Sequence, residues 1–273
     1  MPNSDSYGVA SISVATQLDR QMTSLGMLAI DALELQAGSR IIDVGCGAGQ
    51  TCAQLGEFVR QDGYVLGIDI SPELARHAQA RTQQLPNVDI ELGDIQTFEF
   101  QPKSFDRIFS RFGVMAFSDP KIAFQNLHSA LKSDGRMAFV CWRKFEDNEI
   151  DHLPFRAAHN YLPSDTTNNV HDSSPFSFAN PRIVTTLLEE AGFQSIEISP
   201  HDRRVSAGGV DDTLELCLNV GMLGRIVREH PHLRASVEAP LRRALESAIV
   251  GTDVIMNAAV WLVTAENSSL RAA

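Results

Sequence analysis

The hydrophobic and polar positions divide the chain into short apolar runs separated by amphipathic stretches. Within residues 9–35, Leu18, Met22, Leu25, Leu28 and Leu33 recur at helical spacing, which predicts one or two amphipathic helices ahead of the first strand. Arg40–Val44, Tyr64–Ile70, Val88–Leu92, Phe105–Ser110 and Arg136–Trp142 then read as strands. Between them lie helical stretches at Thr51–Arg60, at Ser71-Pro72-Glu73 onward and at Pro120–Leu131. Ser71 suits an N-cap and Pro72 the first helical position, while Ser133-Asp134-Gly135 makes a turn into the fifth strand. Repeated strand–helix–strand units imply a parallel sheet with helices on both faces.

The pattern changes after Trp142. Residues 143–180 predict a helix at Asp151–Asn160 and then a long loop. A helix at Pro181–Ala191, closed by Gly192, leads to a strand at Ser195–Ser199. Residues 210–250 are helical again, bounded by Gly208-Gly209 and Gly251, and Val254–Thr264 is the last strand. No internal repeat or low-complexity segment interrupts this order.

Composition narrows the class. At 273 residues, 44% hydrophobic and 21% charged, the chain suits a soluble α/β domain with an appended subdomain. Its net charge of −11 argues against an extended nucleic-acid surface, which needs a basic face. Cys46, Cys52, Cys141 and Cys217 form no C-x-x-C pair and no zinc spacing, so the expectation is buried thiols, a reducing compartment and no metal site. The start Met1-Pro-Asn-Ser-Asp-Ser6 lacks the basic and apolar regions of a signal peptide, and no window reaches the ~20 apolar residues of a membrane span. A cytoplasmic location is expected.

The candidate chemistry centres on Ile41-Ile-Asp-Val-Gly-Cys-Gly-Ala-Gly-Gln50, followed by Gly67-Ile-Asp-Ile-Ser71. Glycines at 45, 47 and 49 allow a sharp turn and close approach to a ligand. Asp69 lies twenty residues beyond Gly49, the span of one crossover, where a carboxylate can accept hydrogen bonds from a ribose diol. The spacing lacks the third glycine of G-x-G-x-x-G, and Asp43 would repel a pyrophosphate while suiting a cationic ligand.

On these residues the chain resembles the class I S-adenosylmethionine (SAM)-dependent methyltransferases, whose first motif is similar to Asp43-Val-Gly-Cys-Gly-Ala-Gly49. Gly93-Asp94-Ile95, Phe105–Ser110 and the turn at Leu131–Met137 resemble further motifs of that family in the same order. The resemblance implies a Rossmann-like fold over roughly residues 35–265, with seven mostly parallel strands, the seventh antiparallel between the fifth and sixth. It divides the chain into N-terminal lid helices (1–35), a SAM-binding core (36–142), a lid segment (143–180) and a C-terminal half (181–273) with a helical cap at about 205–252. The cofactor set it implies begins with Asp43, Gly45, Cys46 and Gly47, with Asp69 and Ile70 at the second strand end. The resemblance further implies that Asp94 accepts a hydrogen bond from the adenine amino group, that the Ile95 N–H meets a ring nitrogen, and that Ser110 and Arg111 border the methionine part. Each acid also has a structural reading: Asp43 as a turn stabiliser, Asp69 as a helix cap and Asp94 as an ordinary turn residue.

The segments Ser110–Pro120 and Phe139–Arg143 are similar to the ubiquinone/menaquinone-biosynthesis branch of small-molecule methyltransferases. That resemblance implies methyl transfer from SAM to oxygen, nitrogen or carbon of a small, mostly apolar metabolite, releasing S-adenosyl-L-homocysteine (SAH). Secondary metabolism is an expected setting. His152 and His159 are candidate general bases in the lid segment, with Tyr161 and His171 beside them in sequence. The alternative is a protein that binds SAM for a structural or rearrangement-steering purpose without methyl transfer. Fold analogy also admits a homodimer built on residues 9–35 and 210–250.

Overall fold

The computed structural model describes residues 12–163 and 174–267. Strands β1 (Arg40–Val44), β2 (Tyr64–Asp69) and β3 (Val88–Leu92) are joined by helices α2 (Gln50–Val59) and α3 (Pro72–Thr82), behind an N-terminal α1 (Ala15–Ala32). Strand β4 (Phe105–Arg111) reaches β5 (Leu131–Trp142) through α4 (Pro120–Ala130). Helices α5 (Glu149–Ala158) and α6 (Pro181–Ala191) precede β6 (Gln194–Val205). A cap of α7 (Val210–Asn219), α8 (Gly221–Glu229) and α9 (Arg234–Glu246) follows, then the short ribbon β7 (Ile249–Val250) and β8 (Asp253–Val254), and finally β9 (Met256–Glu266). The main sheet runs β3-β2-β1-β4-β5-β9-β6. Strands β1 to β5 pair in parallel, and β9 runs antiparallel between β5 and β6, as the family resemblance implies.

Local chemistry sets the helix starts. The side chains of Ser71, Asp119 and Asn180 accept the N–H groups of Leu74, Ile122 and Arg182, and each is followed by proline in the first helical turn. Strand interiors are apolar on both sides because helices cover both faces, so Ile41, Ile42, Ile108, Phe109 and Phe139 are fully buried. Helix α1 lies across β4, β5, β9 and β6, burying Leu25, Ala29 and Ile30.

The sequence boundaries shift at three places. Strand β5 begins at Leu131 because Leu131 pairs with Phe105 ahead of a register shift, which keeps the exposed Ser133 and Asp134 inside the strand. Strand β6 continues past Ser199 to Val205, its polar residues paired with β9 through Val205↔Met256. It sits at the sheet edge and faces water, so it carries little apolar signal. The 210–250 segment resolves into three helices and the strand β7, whose partner β8 takes up Val254, so the last strand runs over Met256–Glu266 and not from Val254 to Thr264.

The cap is tied to α5, which packs on α8, α9 and β9. Asp151 of α5 accepts the backbone N–H of Met222 at 2.9 Å, placing a carboxylate at the N-terminus of α8, and its burial raises its pKa. Asn148 is fully buried and crosses from the exit of β5 to β9. It donates to the carbonyl of Lys144 and accepts the N–H of Ala259.

Candidate cofactor and acceptor site

The glycine loop leaves β1 with Gly45, Gly47 and Gly49 at positive φ, where an L side chain is strained. The N–H groups of Gly45 and Cys46 both donate to the carbonyl of Ile68, so the loop closes against β2. A Cβ on Gly45 would lie 2.7 Å from the Cα of Gly113, whereas one on Gly47 would meet nothing within 4 Å. Gly45 is therefore needed for packing of β1 against the exit of β4, and Gly47 faces open space.

Asp69, at the end of β2, accepts the N–H of Gly47 at 2.8 Å through one oxygen and that of Ser71 at 2.9 Å through the other. Its carboxylate thus joins the glycine loop to the start of α3 before any ligand arrives. Burial raises its pKa, and the backbone donors of Ser71 and Gly47 oppose that rise. Each oxygen retains acceptor capacity, since an ionised carboxylate offers about four lone-pair sites.

Asp43 is buried on β1. One of its oxygens accepts from the Thr51 hydroxyl at 2.5 Å and the Cys52 thiol at 3.1 Å, while the other is buried without a partner. Burial pushes its pKa up to about 6, against the lowering effects of Thr51, Cys52 and the Arg111 guanidinium. A buried carboxylate with an unused oxygen fits a cationic group better than a second anion.

Ile70 is 58% exposed, and Leu92, the register partner of Asp69, is 52% exposed, which leaves two large apolar side chains uncovered beside the acid. Asp94 follows them, and both its oxygens accept from Gln96: the side-chain amide lies at 2.8 and 3.0 Å, the backbone N–H at 2.9 Å. Gln96 also accepts the N–H of Asp119. Ile95 is buried, and its carbonyl accepts from Asn126.

Ser110 and Arg111 separate in role. The buried Ser110 hydroxyl donates to the carbonyl of Val44 at 2.8 Å and accepts the N–H of Gly113 at 3.1 Å, so it ties β4 to β1. Arg111 donates to Gln50 at 2.5 Å and forms an ion pair with Asp19 of α1 at 3.8 Å. Asp19 also pairs with Arg81 at 2.6 Å, and Gln50 donates to Thr23 at 2.8 Å. Asp19, Thr23, Gln50, Arg81 and Arg111 together clasp α1 to the glycine loop. Sequence reading missed this clasp apart from Arg111, because its members lie up to 92 residues apart and carry no motif.

The two histidines are not brought to one point. His152 is half-buried, with its ring edge-on to Phe145 at 5.4 Å, whereas His159 is exposed at the end of α5 beside Phe155. The Asp151 carboxylate turns to Met222 and not to either ring. Tyr161 is 46% exposed, and His171 lies outside the described residues. All four cysteines are buried and unbridged.

A family model described as a methyltransferase domain matches residues 35–192, more than half of the chain. The chain belongs to this methyltransferase family. Demethylmenaquinone methyltransferase of Staphylococcus epidermidis is 27% identical over 191 residues, covering 66% of this chain and 76% of the relative. Arsenite methyltransferase of Halobacterium salinarum is 26% identical over 202 residues, covering 73% of this chain and 49% of the relative. The solved structure of Haemonchus contortus phosphoethanolamine N-methyltransferase 2 in complex with SAM shares the fold, with a TM-score of 0.56 and 18% identity, over 90% of this chain and 53% of that one. The chain spans only about a third to a half of the length of the first curated relatives it matches, 31% to 54%.

Proposed function

We propose that the chain is a SAM-dependent methyltransferase that alkylates a small, mostly apolar metabolite and releases SAH. The observation that carries this reading is the glycine loop, open above Gly47 and already bonded to the Asp69 carboxylate. Asp69 would hold the ribose diol, with Ile70 and Leu92 against the adenine and Asp94 and Ile95 at its rim. Asp43, with its unused oxygen, would meet the methionine end, which the space above Gly47 would admit. Cys46 enters through its backbone, since its thiol is buried. Bound SAM supplies a methyl group on a positively charged sulfur.

The residues of this chain then align an acceptor, exclude water and, for a phenol or acidic carbon, take a proton. Alignment alone can supply about 7–11 kcal/mol in favourable systems. On this reading the segments 1–35, 143–180 and about 205–252 serve as lids over the core 36–142, beside the carboxyl ends of the strands where ligands of such sheets bind. His152 is the better placed base of the two on α5, being half-buried against Phe145 where His159 is exposed. On this reading the partner is a small molecule and not nucleic acid, consistent with the net charge of −11. A cytoplasmic location and a homodimer through the helical appendages complete the proposal. Among the described residues no helix is long and apolar enough to cross a membrane.

Titration calorimetry with SAM, SAH and NAD tests the cofactor: micromolar binding of the first two and none of NAD is expected. Mass spectrometry of an acceptor panel then seeks products heavier by one methylene. Cofactor binding without any such product across the panel would favour the non-transferring use of SAM.

A further inference from the structure

Among the described residues, five that are not glycine adopt positive φ: Glu34, Arg60, Lys103, Phe112 and Ser195. Glu34 precedes β1, Arg60 precedes β2, Lys103 precedes β4 and Ser195 opens β6, so these four lie at the amino ends of strands. Phe112 stands apart, at φ 68 just beyond the carboxyl end of β4, where ligands of such sheets bind. A left-handed conformation is a genuine outlier for a bulky aromatic residue. Strain of this kind persists where the surroundings over-determine it, and it clusters at functional sites.

What holds Phe112 there is visible. Its N–H donates to the carbonyl of Val140 at 3.1 Å, and its ring stacks on Trp142 with centroids 3.9 Å apart and planes 15° from parallel. Trp142 is buried, and its backbone N–H is in turn covered by the Met115 sulfur at 3.4 Å. The next residue, Gly113, touches Gly45 of the glycine loop. The stack covers one face of the Phe112 ring, yet the residue stays only half-buried. A rigid aromatic shelf therefore stands one residue from the loop assigned to the cofactor. Phe145, by contrast, is buried with its ring edge-on to the buried Phe155 and Phe176, so these three rings are packing.

We propose that Phe112, braced by Trp142, is a specificity-determining residue whose ring receives the acceptor, and that the acceptor is a planar conjugated ring. A flat π-face stacks on such a shelf, whereas a puckered saturated ring of the same carbon skeleton loses most of that contact. Stacking of this kind is worth about 5- to 150-fold in affinity by analogy with bases on aromatic side chains. The proposal rests on the methyltransferase reading for the identity of the neighbouring cofactor and on the Phe112–Trp142 geometry for the shelf itself.

The test is titration calorimetry of the SAH-loaded protein with 2-naphthol and, separately, with 2-decalol, its saturated counterpart. Naphthol is expected to bind about ten-fold tighter or better. Phe112→Leu is expected to bring the two ligands to within about two-fold, and Phe112→Tyr to restore the preference. Leucine, which is not β-branched, tolerates positive φ no worse than phenylalanine, so the exchange adds no new backbone strain. Equal affinities for the two ligands in the wild-type protein, or an unchanged ratio in Phe112→Leu, would overturn the proposal. Failure of SAH itself to bind would instead count against the cofactor reading. The naphthol-to-decalol ratio is then measured on the free protein, and the shelf still stands or falls by it.

Discussion

Replacing Gly45 or Gly47 by alanine separates what the glycine loop does for the fold from what it does for a ligand. Both residues sit at positive φ, 67° and 56°, so each alanine incurs about 1–2 kcal/mol of left-handed strain. Each also gains about 0.4–1 kcal/mol from the stiffer unfolded chain. These contributions nearly cancel between the two variants, and the difference left is contact. The new methyl at position 45 would lie 2.7 Å from the Gly113 backbone, a distance that forces the strand exits apart, while the one at 47 has nothing within 4 Å. Overpacking of this kind costs about 1–3 kcal/mol, so Gly45→Ala should be the less stable by that amount. In urea, with a slope of about 3 kcal/mol/M, the two midpoints should differ by about 0.3–1 M. Cofactor affinity should rank them by a different cause: Gly47→Ala, the more stable of the two variants, should bind SAM about ten- to a hundred-fold more weakly than the parent because its methyl occupies ligand space. Equal midpoints for the two variants would refute the packing argument. Wild-type SAM affinity in Gly47→Ala would refute the placement of the cofactor.

Asp69→Ala should weaken SAM binding in calorimetry by about 1.5–3 kcal/mol, the range for hydrogen bonds to a charged acceptor, and an unchanged affinity removes Asp69 from the site. Asp43 should make stability depend on pH in the sense opposite to a salt-bridged acid. Burial raises its folded pKa from 3.8 to about 6, so the native state holds the proton more tightly, and stability from this group is lost as pH climbs from about 4 to 6 and stays lost above. Asp43→Asn should therefore gain on the parent across that window, by up to about 3 kcal/mol, and the gain should be flat at higher pH. A difference in urea midpoints that shrinks as pH rises would contradict this. His152→Gln should lower kcat by about 100-fold or more with a phenolic acceptor, and His159→Gln should leave it within about two-fold. Full turnover in the first variant dismisses the base.

Much of the core was legible because its signals are local. The apolar run Ile41–Val44, the three glycines and Asp69 at one crossover's distance all lie within a thirty-residue window, and backbone pairing fixes them together. The family resemblance supplied the antiparallel position of the last strand, which no periodicity can reveal. What stayed hidden depends on distant partners. Asp19 meets Arg81 and Arg111 only because α1 folds back across the sheet, and Asp151 reaches Met222 only because α5 abuts α8. The Ser110 hydroxyl, expected at the cofactor, is engaged with Val44 and Gly113. The conformation of Phe112 is likewise invisible in a sequence, since nothing about phenylalanine announces a left-handed backbone.

The pairing of β6 with β9 ends at Val205 and Met256, which sit opposite each other in register. Everything between them, the three cap helices and the β7–β8 ribbon, therefore leaves and returns at one point on the sheet. Such an excursion can be lengthened, shortened or exchanged while the strands that carry the glycine loop keep their neighbours. The insert can therefore vary in length and sequence without disturbing the pairing of the strands that carry the glycine loop, and a protein engineer can exchange it between relatives at the same two residues.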